Sequence, residues 1–260
     1  MKRVFLGLTA LCAPLLFGGG CAAAGAKKSA ESAAGCKPVT YASDAYTVCQ
    51  FPSAADIRLF WGDVAGTPHG SFDAVNAALA GQGEALSFAM NAGMYHADRR
   101  PVGLYREQGV QTTGLQTRAS SGNFGMLPNG VFYRDGDKIG VMETKAFASA
   151  KLSPDYASQS GPMLVIGGKL HPKFKTGSTS KKRRNGVGVS ADGKTVYFAI
   201  SEQPVNFHSF ATLFKDYLKT PNALYFDGVV SRLYDPKNAR HDGGLPMGPI
   251  VGVVDTITTK

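Results

Sequence analysis

Two Asp-Gly dipeptides, each set between β-type runs, constrain the fold of this 260-residue chain more than any other feature. They stand at Asp135-Gly136 in GVFYRDGDKIGVMET and at Asp192-Gly193 in GVGVSADGKTVYFAI. A two-residue turn between antiparallel strands needs positive φ angles, which Asp-Gly adopts readily, so this pattern is the strongest short-range hairpin signal. The sequence therefore predicts two β-hairpins within a mainly β fold.

Further strands are predicted from composition and alternation. YTVCQF and DIRLFW alternate as half-buried strands do, and SGPMLVIGGKL indicates a strand interrupted at Gly167-Gly168. No shift in composition divides the chain into two parts. The sequence therefore predicts a single α+β domain, with mixed, twisted β-sheets and a few flanking helices.

Two of the helices can be placed. One is predicted to begin at the capping residue Ser71 and to end at Gly81, since its apolar residues lie at helical spacing. The other lies in HSFATLFKDYLK, where the apolar residues form one stripe that faces the core. Asn206 or Ser209 can cap this second helix, and Pro221 follows its end.

The N-terminal residues resemble an export signal. Lys2 and Arg3 precede an apolar run over residues 4–17 that is too short to span a bilayer, which predicts a signal peptide over residues 1–21. Cys21 follows small residues and is predicted to carry a lipid anchor, and cleavage after Ala24 is the rival interpretation. Residues 22–35 have the composition of a tether, which leaves residues 36–260 as the functional domain. We therefore expect a periplasmic protein or a membrane-anchored lipoprotein of a bacterial envelope.

Two cysteines remain in the predicted domain, Cys36 and Cys49. Export favours a disulfide between them, and two reduced buried thiols are the weaker alternative. The histidines show no metal-ligand spacing, and too few Cys or His residues lie near the cysteine pair for a zinc site, so no metal site is predicted. No residue pattern indicates a particular cofactor.

The charge of the chain favours anionic partners. The formal net charge is +9, and it falls to +7 when Lys2 and Arg3 are removed with the predicted signal peptide. For an exported protein the expected partners are envelope phosphates, acidic glycans or a membrane surface. The run KKRR at residues 181–184 is typical of a solvated face, and no nucleic-acid-binding module accompanies it, so no nucleic acid partner is expected.

A set of motifs, in this order over residues 91–234, resembles the phosphodiester glycosidase domain family. The motifs are NAGMY, GLYREQG, NFGMLPNGVFY, SGPMLV, RRNGVGVSADGKTVYFAISE and NALYFDGVVSRLY. The resemblance implies an enzyme of the glycoside hydrolase type that cleaves a glycosyl phosphodiester. One departure concerns the family pattern DGG-x-S, because this chain has DGVVS at Asp227 to Ser231. The departure suggests a separate bacterial branch with its own substrate.

The chemistry of the implied reaction calls for a carboxylate and a guanidinium. Positive charge develops on the sugar and negative charge on the departing phosphodiester, which a carboxylate and an arginine fork can stabilise. Asp227 ends the apolar strand NALYF and is predicted to act at the anomeric carbon, although a turn aspartate is the ordinary interpretation of such a residue. Arg184 leads the strand NGVGV, and the resemblance implies that it holds the phosphate.

Other residues complete the predicted site. Glu202 follows the strand VYFAIS and is a further acid–base candidate, with an exposed strand-end glutamate as the alternative. The residues predicted to bind substrate are Asn91, Gly93, Glu107, Ser160, Gly161, Gly228 and Ser231. Ser160 lacks the surroundings of a nucleophile elbow and is predicted to bind rather than to attack.

Two other functions are compatible with the sequence. A non-catalytic envelope protein could use the same basic cleft to bind anionic glycans, and it would bind without turnover. Nucleic-acid binding through the KKRR run would give an affinity that falls steeply with salt.

Overall fold

A computed structural model describes Met1 and residues 34–257 of the chain. The strands, numbered in chain order, are β1 (Gly35–Tyr41), β2 (Asp44–Pro52), β3 (Ile57–Phe60), β4 (Glu84–Asn91), β5 (Tyr105–Glu107), β6 (Val110–Thr113), β7 (Gly130–Asp135), β8 (Lys138–Glu143), β9 (Tyr156–Ser160), β10 (Met163–Ile166), β11 (Lys169–Leu170), β12 (Asn185–Val189), β13 (Thr195–Ser201), β14 (Asn222–Tyr225), β15 (Leu233–Asp235), β16 (Arg240–His241) and β17 (Ile250–Thr256). The predicted mainly β character is confirmed.

The helices are α1 (Phe72–Ala80), α2 (Thr144–Ala150) and α3 (Phe207–Thr212). The Ser71 hydroxyl accepts a hydrogen bond from the Ala74 amide at 3.1 Å, so the predicted start of α1 is confirmed. Asn206 caps α3 by accepting from the Ser209 amide at 2.9 Å. After α3 the backbone continues as a π-helical segment, Leu213–Tyr217, which the apolar periodicity did not predict. A 3₁₀ turn, Pro236–Asn238, follows β15.

The strands form three open antiparallel sheets. Their strand orders are β1-β2-β13-β12-β14-β10-β11, β16-β15-β4-β17-β3 and β6-β5-β9-β7-β8. Both predicted hairpins are present, β7 with β8 around Gly136 and β12 with β13 around Gly193. The α+β class is confirmed, and the strand pairs of the described residues are antiparallel throughout, whereas the sequence predicts mixed sheets.

An aromatic core joins the three sheets. Phe198 of β13 lies against Phe88 of β4, with ring centroids 4.9 Å apart, and against Phe132 of β7 at 6.0 Å. Phe51 of β2 and Phe226, just after β14, extend the same cluster. Burying each such ring contributes about 1.5–3 kcal/mol. The core therefore holds fixed the strand end that leads into Asp227.

The helices cover the outer faces of the sheets. The α1 residues Phe72, Val75 and Leu79 pack on the β4 sheet, as their spacing predicts. Phe210 of α3 and Phe214 pack in a second cluster with residues of the seven-stranded sheet. Each sheet therefore has one face on the shared aromatic core and another against a smaller apolar cluster.

The N-terminal hairpin carries the predicted disulfide. Cys36 of β1 and Cys49 of β2 are paired in register and are bonded through their sulfurs, with an S–S distance of 2.02 Å. The predicted signal peptide, the lipidation site at Cys21 and most of the tether lie outside the described residues. Among the residues that the structure describes, none of the helices is long and apolar enough to cross a membrane.

Candidate active site

Two buried asparagines bring together the ends of strands from two sheets. Asn91 ends β4 and Asn185 begins β12, and both side chains are fully buried. The Asn185 amide donates to the Asn91 side-chain oxygen at 3.0 Å and to its backbone oxygen at 2.9 Å. Buried amides need partners, and here each satisfies the other. The pair therefore joins the seven-stranded sheet to the sheet that contains β4.

The same two side chains fix the loop that follows β14. Asn185 Oδ1 accepts from the Asp227 amide at 3.1 Å, and Asn91 Oδ1 accepts from the Arg232 amide at 2.9 Å. The Ser231 hydroxyl donates to the Asp227 carbonyl at 2.8 Å and closes the loop on itself. Asn91 and Ser231, both predicted to bind substrate, thus hold the loop that presents Asp227.

The two oxygens of the Asp227 carboxylate differ in their hydrogen bonds. Its Oδ1 accepts from the amides of Gly228 at 2.6 Å and Val229 at 2.9 Å. Its Oδ2 takes neither of these bonds and is not among the fully enclosed unpaired atoms, although the Val230 amide is also close enough to act on the carboxylate. Burial raises the pKa of Asp227, and the backbone amides of residues 228–230 act in the opposite direction. Asp227 therefore presents a poorly solvated, basic oxygen.

A cleft of about 350 Å³ opens in front of this carboxylate. Tyr95, His96 and Arg99 line it together with Asp227, and Asp227 is the only carboxylate in its described lining. Two largely exposed apolar side chains, Val229 and Leu245, line its mouth. The Arg99 guanidinium lies 5.5 Å from the centre of the Tyr95 ring. The cleft therefore combines one carboxylate, one cation and an aromatic hydroxyl.

Arg184 lies behind the Asp227 loop, in an aromatic cage. Only 1% of the residue is exposed, and its guanidinium carbon stands 3.6 Å from the centre of the Phe207 ring. Nε donates to the Val205 carbonyl and Nη2 to the Ser180 carbonyl, while Nη1 has no partner of good hydrogen-bond geometry among the described residues, although the Tyr225 hydroxyl is close enough to act on the guanidinium. Burial lowers the pKa of Arg184, and the neighbouring Tyr225 acts in the opposite direction.

Gly228 is required by the close packing of Tyr225. A Cβ atom at this position would overlap the Tyr225 hydroxyl, which is buried and has no hydrogen-bond partner in the described part of the chain. Arg184 and Tyr225 are also close, with 5.4 Å between the guanidinium carbon and the ring centre. Arg184, Tyr225 and Gly228 therefore form a packed floor under Asp227.

Glu202 lies in an ion-pair network rather than in the cleft. Its carboxylate accepts from the Thr47 hydroxyl and from Arg240, each at 2.7 Å, and Arg183 lies 3.5 Å away. Asp242 completes the network by pairing with both arginines. Burial acts to raise the pKa of Glu202, but the hydrogen bonds and charges of the network outweigh burial and lower it. A catalytic role for Glu202 stays a prediction.

Glu107 is also engaged elsewhere. Its Oε2 accepts from the Tyr105 hydroxyl at 2.7 Å and from the Trp61 amide at 3.1 Å. Burial raises the pKa of Glu107 despite these two bonds. The Trp61 indole N–H in turn donates to the Arg99 carbonyl at 2.7 Å. Glu107 is therefore linked to the cleft indirectly, through Trp61 and Arg99. Its predicted contact with substrate stays a prediction.

Three other residues that were predicted to bind substrate make close contacts within the protein itself. The Ser160 hydroxyl donates to the Phe226 carbonyl at 2.8 Å, so it fixes the residue before Asp227. A Cβ at Gly93 would come within 2.5 Å of the Gln159 carbonyl, and one at Gly161 within 2.7 Å of the Asn129 side chain. Both glycines thus allow close approach of the chain itself.

The sequence did not single out several residues that the fold places at or beside the cleft. These are Tyr95, His96, Arg99, Asn185 and Arg232. Tyr95, Asn185 and Arg232 stand within motifs that carry the family resemblance, so the sequence held a signal for these three residues. Asn91 and Asn185 are 94 positions apart, and local patterns do not predict such a contact. No group of three or more His, Cys, Asp or Glu side chains in the described ranges is arranged to hold a metal ion.

The fold and the cleft define a class of protein. An open antiparallel α+β domain carries one buried carboxylate at a largely apolar cleft that also contains Tyr95, His96 and Arg99. The phosphodiester glycosidase family model matches residues 84–253, and the chain belongs to this family.

Two relatives give the extent of the similarity. The chain is 37% identical over 234 residues to the uncharacterized protein YigE of Escherichia coli (strain K12), covering 90% of this chain and 85% of that protein. Its fold is similar to the catalytic domain of zebrafish N-acetylglucosamine-1-phosphodiester alpha-N-acetylglucosaminidase, a structure described as auto-inhibited by its pro-peptide. That match has a TM-score of 0.58 and 15% identity and covers 84% of this chain and 81% of the zebrafish chain.

Proposed function

We propose that the protein is an exported hydrolase that cleaves the bond between an anomeric carbon and the oxygen of a phosphodiester. The observation that carries the proposal is the buried Asp227, whose pKa is raised and whose Oδ2 takes none of the resolved hydrogen bonds, at a largely apolar cleft that also contains Tyr95, His96 and Arg99. Membership of the phosphodiester glycosidase family supports the reaction class.

Asp227 is proposed to act at the anomeric centre. As the bond to the phosphate oxygen breaks, its electron pair leaves with the phosphate and the sugar carbon becomes positive. Oδ2 stabilises this charge or attacks the carbon, while the amides of Gly228 and Val229 hold Oδ1 in place. Water then supplies the new oxygen, and the products are a free sugar and a phosphate monoester.

A single carboxylate is sufficient for this reaction. Ordinary glycosidases need a second carboxyl group to protonate an alkoxide leaving group. Here the leaving group is a phosphate monoester, a stable anion that needs little protonation, which fits a cleft whose described lining has no carboxylate besides Asp227.

Arg184 is proposed to stabilise the departing phosphate, as the family resemblance implies. The unpaired Nη1 and the positive charge behind the Asp227 loop support this role. The Phe207 ring and the Val205 carbonyl hold the guanidinium in one orientation. Because Arg184 is almost fully buried, its contribution is expected to come chiefly from charge in a poorly solvated setting.

Export is part of the proposal. The positively charged residues and apolar run at the N-terminus support a signal peptide, and Cys21 supports attachment to the membrane through lipid. A glycosyl phosphodiester of the bacterial envelope would then be the substrate class.

The test is release of sugar by the purified protein from N-acetylglucosamine phosphodiester model compounds. Wild type, Asp227→Asn and Asp137→Asn are compared, because Asp137 is an exposed aspartate in the β7–β8 turn and controls for the substitution itself. We expect turnover by wild type and by Asp137→Asn, with Asp227→Asn slower by about 10²- to 10⁴-fold.

Full activity of a folded Asp227→Asn variant would contradict the role assigned to this carboxylate. Absence of turnover with every sugar tested, together with retention of anionic glycans, would instead favour the non-catalytic binding protein.

A further inference from the structure

Arg232 stands out among the buried arginines because nothing in the described protein accepts a hydrogen bond from it. Only 7% of the residue is exposed, yet its guanidinium makes no hydrogen bond and no ion pair with the described residues. Two other partly enclosed arginines, Arg58 and Arg240, are each held by two carboxylates. Arg58 pairs with Asp56 and Glu84, and Arg240 pairs with Glu202 and Asp242.

An unpartnered cation on a largely enclosed side chain is costly for the folded state, although the Arg232 nitrogens are not among the fully enclosed unpaired atoms and keep some contact with solvent. Removing a charged group from water is unfavourable unless an opposite charge or hydrogen bonds compensate. Burial lowers the pKa of Arg232, and the charges of Tyr95 and Asp242 act to raise it. Asp242 is already bound to Arg183 and Arg240, so it is not a dedicated partner.

The guanidinium lies beside the cleft of Asp227. Its charge acts on the Tyr95 hydroxyl, as do those of Asp227 and Arg99, so Tyr95 stands among all three charged groups. Gly244 packs on the guanidinium, where a Cβ would come within 2.7 Å of Nη2, and the next residue, Leu245, lines the mouth of the cleft.

The backbone of Arg232 is held firmly. Its amide donates to Asn91 Oδ1, the side chain that is also bonded to Asn185. Asn185 in turn accepts from the amide of Asp227. The positions of Asp227 and Arg232 are therefore fixed by one asparagine pair, at opposite ends of one short loop.

We propose that Arg232 binds the phosphate of the substrate, with the cleft residue Arg99 contributing further positive charge. Arginine presents a planar fork of N–H donors that matches two phosphate oxygens, and an anion supplies the acceptor that the protein lacks. The inference rests on the proposed function, which it deepens by separating a phosphate contact beside the cleft from the charge of Arg184 behind the loop.

The first measurement is binding of inorganic phosphate to the full-length protein by calorimetry. Arg232→Gln is compared with wild type and with Arg118→Gln, an exposed arginine whose replacement changes the net charge equally. We expect Arg232→Gln to weaken binding on the order of 10- to 100-fold, because a hydrogen-bonded charge contact is lost. Arg118→Gln should leave binding unchanged, and Arg232→Lys should give an intermediate affinity because it keeps the charge without the fork.

Thermal unfolding without phosphate separates ligand binding from a structural role. If Arg232 serves a ligand, Arg232→Gln should unfold at the same temperature as wild type or higher, because an unpaired buried charge is removed. A variant that is strongly destabilised would show a structural guanidinium and would overturn the inference. Unchanged phosphate affinity in Arg232→Gln, or equal weakening in Arg118→Gln, would overturn it as well.

The inference and the proposed function can fail separately. Phosphate binding that depends on Arg232, without turnover of any diester, would support this site and contradict the hydrolase. Turnover of a diester with the same KM in wild type and Arg232→Gln would support the hydrolase and contradict this site.

Discussion

Asp227 and Glu202 are two carboxylates that follow strands of the same sheet, but their surroundings differ in every respect that matters for chemistry. Glu202 is held by two arginines and a threonine, and the network lowers its pKa. Asp227 is held by backbone amides alone, keeps Oδ2 outside the two hydrogen bonds that Oδ1 accepts, and has a raised pKa. A strand-end acid becomes reactive when the fold buries it without a cation, whereas ion pairs make it a structural element.

The largest expected effect concerns activity. On a diester that wild type cleaves, Asp227→Asn should lower kcat/KM by about 10²- to 10⁴-fold. Glu202→Gln should change it by less than about threefold, because the network lies outside the cleft lining and surface ion pairs contribute little energy. The measurement is kcat/KM for both purified variants. Equal losses would remove the distinction between the two carboxylates.

Only part of the fold, and only part of the difference between Asp227 and Glu202, can be predicted from the sequence. The hairpins, α1 and most of the second helix follow from local periodicity, turn residues and caps, which act over a few positions. A carboxylate after an apolar strand conflicts with burial and marks Asp227 as a turn or a site, and the family resemblance is what favours the site. The Arg240 partner of Glu202 lies 38 positions away, and the Arg232 amide contacts Asn91 across 141 positions. Such pairings depend on how the sheets assemble.

The packing under Asp227 gives the next largest effect. Gly228→Ala places a Cβ against the Tyr225 hydroxyl, and the overlap should lower the free energy of unfolding by about 1–3 kcal/mol. Denaturant unfolding provides the measurement. Among the described glycines, none has a Cβ position that would contact Glu202. The substitution therefore tests the packing around Asp227 and leaves the Glu202 network unchanged.

A second substitution checks this explanation. Tyr225→Phe removes a buried hydroxyl that lacks a hydrogen bond of good geometry and lies near the Arg184 guanidinium, and should by itself change the free energy of unfolding by no more than about 1 kcal/mol. Combined with Gly228→Ala it should recover part of the lost stability, since the nearest ring carbon then lies 3.2 Å from the added Cβ. Additive losses in the double variant would mean that the hydroxyl is not the cause.

The Glu202 network should show a smaller, salt-dependent effect. Glu202→Gln weakens contacts with two partly exposed arginines and should lower the free energy of unfolding by about 0.5–1 kcal/mol. The loss should shrink in 1 M salt, where charges are screened over about 3 Å. Chemical unfolding in urea at low and high salt measures it. A loss that is independent of salt would point to the neutral Thr47 hydrogen bond instead.

The smallest effect is also the sharpest contrast, because the two carboxylates should depend on pH with opposite sign. The pKa of Asp227 is raised above its ordinary value of 3.8, so wild type loses stability relative to Asp227→Asn as the pH rises from that value through the folded pKa. The pKa of Glu202 is lowered from 4.5, so the deficit of Glu202→Gln should shrink as the pH falls below that value. Melting temperatures of both variants and wild type from pH 3 to pH 7, roughly the window in which carboxyl groups titrate, measure the two trends. If both differences moved in the same direction, one of the two pKa shifts would have the wrong sign, and the distinction between a reactive and an ion-paired carboxylate would fail at that residue.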